Sequence, residues 1–280
     1  MKIELIFREG VSQLSLANIE NPRLNTGIII EEVTGFKRLS LPLHFHQDIS
    51  SEQTSRIRSM LKRRCQNEPL QHILGYTEFY GFRFQVTPDV LIPRPETEYL
   101  IETIEQNIRN PHRILDIGTG SGAIAITLKK LFPQAELVAV DISPQALKIA
   151  KENAHINNVD INFKEVDIYS NDLGNFDLIV SNPPYISEEE YSHLPREVQH
   201  FEPKLALVGP ESGLFFYHKI LKLAPSILNP RGSLFFEIGE SQACDIRDIA
   251  FSHNYDQVDI IKDLAGRDRI IYIKTDTSSD

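Results

Sequence analysis

The 280-residue chain is 41% hydrophobic and 24% charged, an ordinary globular balance that allows one large domain and a smaller companion. Its net charge of −10 at pH 7 argues against broad, sequence-independent binding to a phosphate backbone, which draws on clustered Lys and Arg. Cys65 and Cys244 are too far apart to suggest a disulfide framework or a zinc set, and no apolar run approaches the roughly 18 residues of a membrane span. The expectation is a soluble, cytoplasmic chain that holds no metal and works as a monomer.

From Met1 to about Glu68 short amphipathic stretches alternate with polar breaks, which predicts a small helical domain over residues 1–74. Its clearest helix opens at Ser50-Ser51-Glu52-Gln53, a capping-box pattern, and Ile57, Leu61 and Cys65 recur every four residues behind it. Arg56, Arg58, Lys62, Arg63 and Arg64 lie on the same segment, either as a local basic patch or as the wet face of an amphipathic helix. Pro69 is expected to end that helix. In residues 75–93 the pattern switches: Phe82, Phe84 and Val86 alternate with Arg83 and Gln85, and Pro88-Asp89 signals a turn. A short β-hairpin linking two domains is expected there. Arg94 to Glu96 then read as linker, with Thr97 as the cap of a helix that carries Leu100, Ile101, Ile104 and Ile108 on one stripe.

From Arg113 onward apolar runs alternate with helical patterns, the signature of a parallel α/β sheet. Seven strands are expected, at residues 114–117, 137–140, 161–166, 176–181, 233–238, 257–261 and 269–274, in a Rossmann-like domain spanning 94–280. Ser143-Pro144 opens one intervening helix with a cap followed by proline, and Leu147, Ala150 and Ala154 form its inner face. The polar tail from Thr275 to Asp280 is expected to fray.

Asp116-Ile117-Gly118-Thr119-Gly120-Ser121-Gly122-Ala123 follows the first of these strands. Glycines at such a turn let backbone approach a ligand, and the helix that follows offers unpaired N–H groups. Taken alone the motif also satisfies a dinucleotide fingerprint, with Asp141 at a suitable distance to bind a ribose hydroxyl. The fourth strand separates the two readings. It runs into Asn182-Pro183-Pro184-Tyr185, an amide locked beside two prolines that have no N–H to donate, with an aromatic ring behind. A dehydrogenase has no need of this, whereas a methyltransferase using S-adenosylmethionine would hold its acceptor there. The Asn182 side-chain oxygen and a proline carbonyl can accept both protons of a flat NH2 group, and Tyr185 can pack on its plane. Asp141 would accept from the ribose diol, Asp167 from the adenine amino group, and Asp116 would face the amino-acid end of the cofactor.

Assembled, these residues resemble the PrmC/HemK family, the protein-(glutamine-N5) methyltransferases of peptide-chain release factors. The resemblance extends to Glu68-Pro69-Leu70-Gln71-His72-Ile73-Leu74-Gly75, Glu78-Phe79-Tyr80-Gly81, the run from Leu91 to Glu98, Glu202-Pro203 with Ala206-Leu207, and the run from Lys262 to Arg269. It implies a class I methyltransferase domain, mostly parallel with an antiparallel last strand, behind an N-terminal domain that grips a class 1 release factor. S-adenosyl-L-methionine would be the cofactor, held by Gly118, Thr119, Gly120, Ser121, Gly122, Asp141, Asp167, Ile168 and Asn182. Asn182, Pro183, Pro184 and Tyr185 would bind the glutamine of the Gly-Gly-Gln loop, with Asn182, Pro183 and Tyr185 in the catalytic role, and Arg94 to Glu96 would stand near the entrance. Two departures are visible. Some relatives carry an aromatic residue where this chain has Ile168, and Gly209-Pro210 stands where a glycine pair is common. The competing readings are N6-adenine methylation of nucleic acid, which needs a flipped base, and a non-catalytic module that binds cofactor or nucleotide.

Overall fold

In a computed structural model, which describes residues 1–167 and 173–275, the chain divides into two compact units, Met1–Gly75 with Pro195–Phe201, and Tyr76–Leu194 with Glu202–Asp280. The first is helical: α1 (Ile3–Leu16), α2 (Pro22–Thr34), α3 (Ser51–Cys65) and the short α4 (Leu70–Leu74). Ile3, Ile6, Leu14, Ile29, Ile30, Ile57 and Leu61 close its core. The capping box at α3 is present, with the Ser50 and Gln53 side chains each accepting from the other's backbone N–H. The arginines of α3 are largely taken up within the unit: Arg58 pairs with Glu9, Arg63 with Glu68 and Arg56 with Glu32. Arg64 is buried, bonded to Asn25 Oδ1 and paired with Glu197. Pro69 corrects the expectation placed on it. α3 already stops at Cys65, and Pro69, whose ring pre-sets φ near the helical value, is the cap from which α4 starts.

The second unit begins with a hairpin, β1 (Tyr76–Phe79) paired antiparallel to β2 (Phe82–Gln85). Its reversal is at Tyr80-Gly81, both at positive φ, as a two-residue hairpin turn requires, and Pro88-Asp89 forms a separate turn beyond β2. There follow α5 (Pro95–Asn107), β3 (Arg113–Ile117), α6 (Ala123–Leu131), β4 (Glu136–Asp141), α7 (Pro144–Ile156), β5 (Asn162–Glu165) and β6 (Phe176–Ser181). Beyond β6 come α8 (Glu188–Tyr191), α9 (Arg196–Phe201), which belongs to the first unit, α10 (Phe215–Leu223), β7 (Leu228–Glu237), α11 (Ala243–Ser252), β8 (Gln257–Lys262) and β9 (Asp268–Lys274). Asn153 and Asn157 of α7 bond the backbone of Gln85 and Arg83, which fastens β2 to α7.

The sheet order is β5-β4-β3-β6-β7-β9-β8. β5, β4, β3, β6 and β7 pair in parallel, and β9 lies antiparallel to both β7 and β8. β3, β4 and β6 are buried on both faces, which is why they read as continuous apolar runs rather than alternating ones. One face packs Leu115, Ile179, Leu234 and Phe236 with α10 and α11, and the other packs Ile114, Leu178, Val180 and Phe235 with α5 and α6. β7 begins earlier than the sequence suggests because Asn229-Pro230-Arg231-Gly232 has turn composition. The strand carries an irregularity there, with Arg231 at φ +64°.

Candidate active site

The parallel register sets the site. Ile117 at the end of β3 lies beside Val140 of β4 and Ser181 of β6, so the glycine turn, Asp141 and Asn182 emerge side by side at the carboxyl edge. The strand order reverses at this point, which is where open α/β sheets leave a crevice. That crevice is a cleft of about 230 Å³ whose floor includes Gly118, Gly120, Asp141, Ser181, Asn182, Pro183 and Pro184. Asp89, Val90 and Leu91 form one wall, and Pro203, Leu205, Ala206, Phe216 and Ile220 another.

At the glycine turn, the N–H groups of Gly118 and Thr119 both donate to Val140 O, and Gly118, Gly120 and Gly122 all have positive φ. A Cβ built on Gly118 or Gly120 would meet nothing within 4 Å, so both present bare backbone to open space. Asp141 accepts from Gly120 N at 2.9 Å through one oxygen and from Ser143 N at 2.9 Å through the other. A carboxylate offers about four lone-pair sites, so acceptor capacity remains on Asp141 for a ligand diol. Burial pushes the Asp141 carboxyl upward, and the backbone N–H bonds pull it back. Asp167 and the half-exposed Ile142 line the same end. Bare glycine backbone, an acceptor pair and an apolar shelf fit an adenosyl sulfonium cofactor.

Asp116 does not reach the cleft floor. It is fully buried beneath the turn, taking a hydrogen bond from Thr119 Oγ1 at 2.7 Å, and its other oxygen has no partner. Burial pushes its carboxyl up to about 7, with the Thr119 bond opposing and Asp141 adding.

At the acceptor end, the carbonyls of the tetrapeptide face different ways. A Cβ on Gly209 would come 2.3 Å from Pro184 O, and one on Gly213 would come 1.9 Å from Tyr185 O. Only glycine allows such approaches, and Gly213 also sits at φ +84°. Tyr185 O further accepts from Gln242 Nε2 at 2.9 Å. The Pro184 and Tyr185 carbonyls are thus turned toward the backing loop. The Asn182 amide nitrogen donates to Thr97 Oγ1 at 3.4 Å, which directs the amino half of the carboxamide inward.

Comparisons with known proteins identify the family. Residues 95–198 match the methyltransferase small domain and residues 6–75 the PrmC N-terminal domain. The chain is 40% identical to a release factor glutamine methyltransferase of Fusobacterium nucleatum, covering 96% of this chain and 78% of that protein. It is 37% identical to one of Koribacter versatilis, covering 99% of this chain and all of that protein. The chain belongs to the release factor glutamine methyltransferase family. A methyltransferase from Pyrococcus furiosus shares the fold, with a TM-score of 0.56 at 21% identity over 71% of this chain and 91% of the other.

Within this family member, the residues singled out from sequence fall into two groups. Gly118, Gly120, Asp141, Asp167, Asn182, Pro183 and Pro184 line the cleft. Thr119, Ser121, Gly122 and Tyr185 shape it from behind. Thr119 bonds Asp116, Ser121 O accepts from Asn153, and Gly122 caps α6 against Ile126 and Ala150. Tyr185 packs on the sheet core, and burial raises its hydroxyl well above the usual range. Ile168 lies outside the described residues. Arg94, read from sequence as linker, pairs with the buried Glu202 at 2.6 Å, and Glu202 also accepts from Ile92 N at 3.1 Å, tying the Leu91 wall to the Pro203 wall. Thr97 is not the helix cap, because Pro95 at the first position sets the start of α5 with Arg94 as cap. Its hydroxyl donates instead to Glu237 Oε2 at 2.6 Å. Sequence reasoning missed Glu237 and most of the cleft walls; Glu202-Pro203 and Ala206 were flagged only through the family resemblance.

Proposed function

We propose that the chain transfers a methyl group from S-adenosyl-L-methionine to the side-chain N5 of the glutamine in the Gly-Gly-Gln loop of class 1 release factors, with the helical unit gripping the body of the factor. The observation that carries this reading is the orientation of Asn182: with Nδ2 bonded inward to Thr97, Oδ1 is the end of the carboxamide left for a ligand in the cleft. A primary amide has two N–H donors, and Asn182 Oδ1 and the Pro183 carbonyl make a matching pair of acceptors. Pro183 and Pro184, lacking N–H groups, present nothing that would compete for that amide.

Bound on Gly118, Gly120 and Asp141, the cofactor supplies a methyl group on a sulfonium, an electrophile that needs only a nucleophile held in line. An amide nitrogen is a weak nucleophile because its lone pair is delocalised. Two acceptors on its N–H bonds stabilise positive charge as it develops on nitrogen, worth about 3 kcal/mol per well-aimed group by analogy with oxyanion donors. Holding the two reacting atoms together supplies up to about 7–11 kcal/mol more. The N5 proton becomes acidic only as the new bond forms and then passes to solvent, so no side chain is needed as a base. The test is incubation with methyl-labelled cofactor and, in parallel, release factors and DNA. Label is expected in the release factor; label in DNA alone would overturn the reading in favour of adenine.

A further inference from the structure

We propose that Thr97 and Glu237 are positioning residues that act through Asn182: a relay from the Asn182 amide nitrogen to the Thr97 hydroxyl to the buried Glu237 carboxylate fixes which end of the carboxamide faces the acceptor. The inference rests on Asn182 being the acceptor site. Its geometry is on three elements that sequence does not connect. Asn182 follows β6, Thr97 is in the first turn of α5, and Glu237 ends β7, with contacts of 3.4 Å and 2.6 Å joining them. Thr97 and Glu237 are both buried, at 5% and 1% exposure, so water does not supply alternative partners.

The ionisation of Glu237 decides the direction of every bond in the relay. An ionised carboxylate only accepts, so the single Thr97 proton goes to Glu237, the Thr97 oxygen can only accept, and the half of Asn182 facing it must be NH2. A protonated Glu237 donates to Thr97 instead. The Thr97 proton is then free to bond Asn182 Oδ1, and the carboxamide turns its NH2 toward the cleft, where it repels an acceptor NH2. The charged or titratable groups around Glu237 are Arg269 on β9, Glu96 on α5, Tyr185 after β6 and Tyr217 on α10. Burial dominates and, with Glu96, opposes the ionised form, while the bond from Thr97, Arg269 and the bond from Asn182 favour it, which leaves the carboxyl raised to about 7.

Two measurements test the relay. In apo protein, the side-chain 15N–1H signals of Asn182, assigned by their loss in Asn182→Ala, are expected to move with pH with a midpoint near 7, to lose that step in Glu237→Gln and Thr97→Val, and to keep it in Thr97→Ser. In turnover, kcat is expected to rise with pH through the same range in the wild type. In Glu237→Gln it should fall about 10- to 100-fold, as when an orienting partner is removed, with the pH step gone, KM little changed, and Thr97→Ser rescuing Thr97→Val. Asn182 signals that ignore pH in the wild type overturn the relay. So does a Glu237→Gln enzyme with kcat within about twofold of wild type and the same pH profile. Wild-type protein that fails to methylate any release factor sinks the functional reading instead, and the NMR titration still decides the relay.

Discussion

Glu237 makes a stability prediction that is independent of turnover. Its side chain is buried at the carboxyl end of β7, and its carboxyl is raised from 4.5 to about 7, chiefly by burial. A folded-state value above the unfolded one means that the native protein holds the proton more tightly, so the stabilisation is full below about pH 4.5 and is lost as pH rises through about 7. With those two values, going from about pH 5.5 to about pH 8 costs the wild type about 2 kcal/mol through this group alone. Glu237→Gln keeps the shape while removing the titration. Urea unfolding followed by circular dichroism at both pH values, for wild type and variant, isolates the term. Asp116, raised in the same direction, contributes equally to both proteins and cancels, as do the exposed carboxylates. The variant is expected to lose about 2 kcal/mol less than wild type over this interval. Equal losses in the two proteins would refute the reasoning, because a buried carboxyl in that relay cannot be replaced by an amide without a change in proton linkage.

The other predictions concern the cleft. Asp141→Ala removes the acceptor of Gly120 N and Ser143 N together with the oxygens left for a diol. Cofactor affinity by titration calorimetry is expected to fall about 10- to 100-fold, the value of one or two charge-assisted hydrogen bonds, and unchanged affinity would remove Asp141 from the cofactor site. Gly213→Ala places a Cβ 1.9 Å from Tyr185 O at φ +84°. It is expected to lower the unfolding free energy by about 2 kcal/mol or more and to reduce kcat by shifting the Asn182-Pro183-Pro184-Tyr185 turn, whereas an unaltered melting curve would show that the backing loop yields freely.

The legible parts of this molecule in its sequence were those set by local chemistry. The strand at residues 176–181 is found as read, because an apolar run bounded by loop composition on one side and prolines on the other has little freedom. Ser143-Pro144 capping α7, the Ser50 box on α3 and the glycine turn after β3 were legible for the same reason. What escaped was long-range. Thr97 has the composition of a cap, but Pro95 fixes the helix start, and its true partner is 140 residues away. Residues 195–201 join the helical unit, where Glu197 meets Arg64, and no periodicity in that stretch announces it. The walls at Leu91, Leu205 and Phe216 are apolar side chains without a chemical signature, so only the fold shows that they face one cleft. Arg94 carried the right residue type for an ion pair, yet its buried partner Glu202 lies 108 residues on.

The most direct test is fragmentation mass spectrometry of the glutamine-containing loop peptide from a release factor treated with cofactor and either wild type or Asn182→Ala. The wild type should add one methyl group to the glutamine side-chain nitrogen, and the variant should do so at least about 100-fold more slowly, the cost of losing a well-aimed electrostatic partner. A methyl group on another residue, or equal rates for the two proteins, would contradict the assignment of Asn182 and its neighbouring carbonyl as the seat of the acceptor amide.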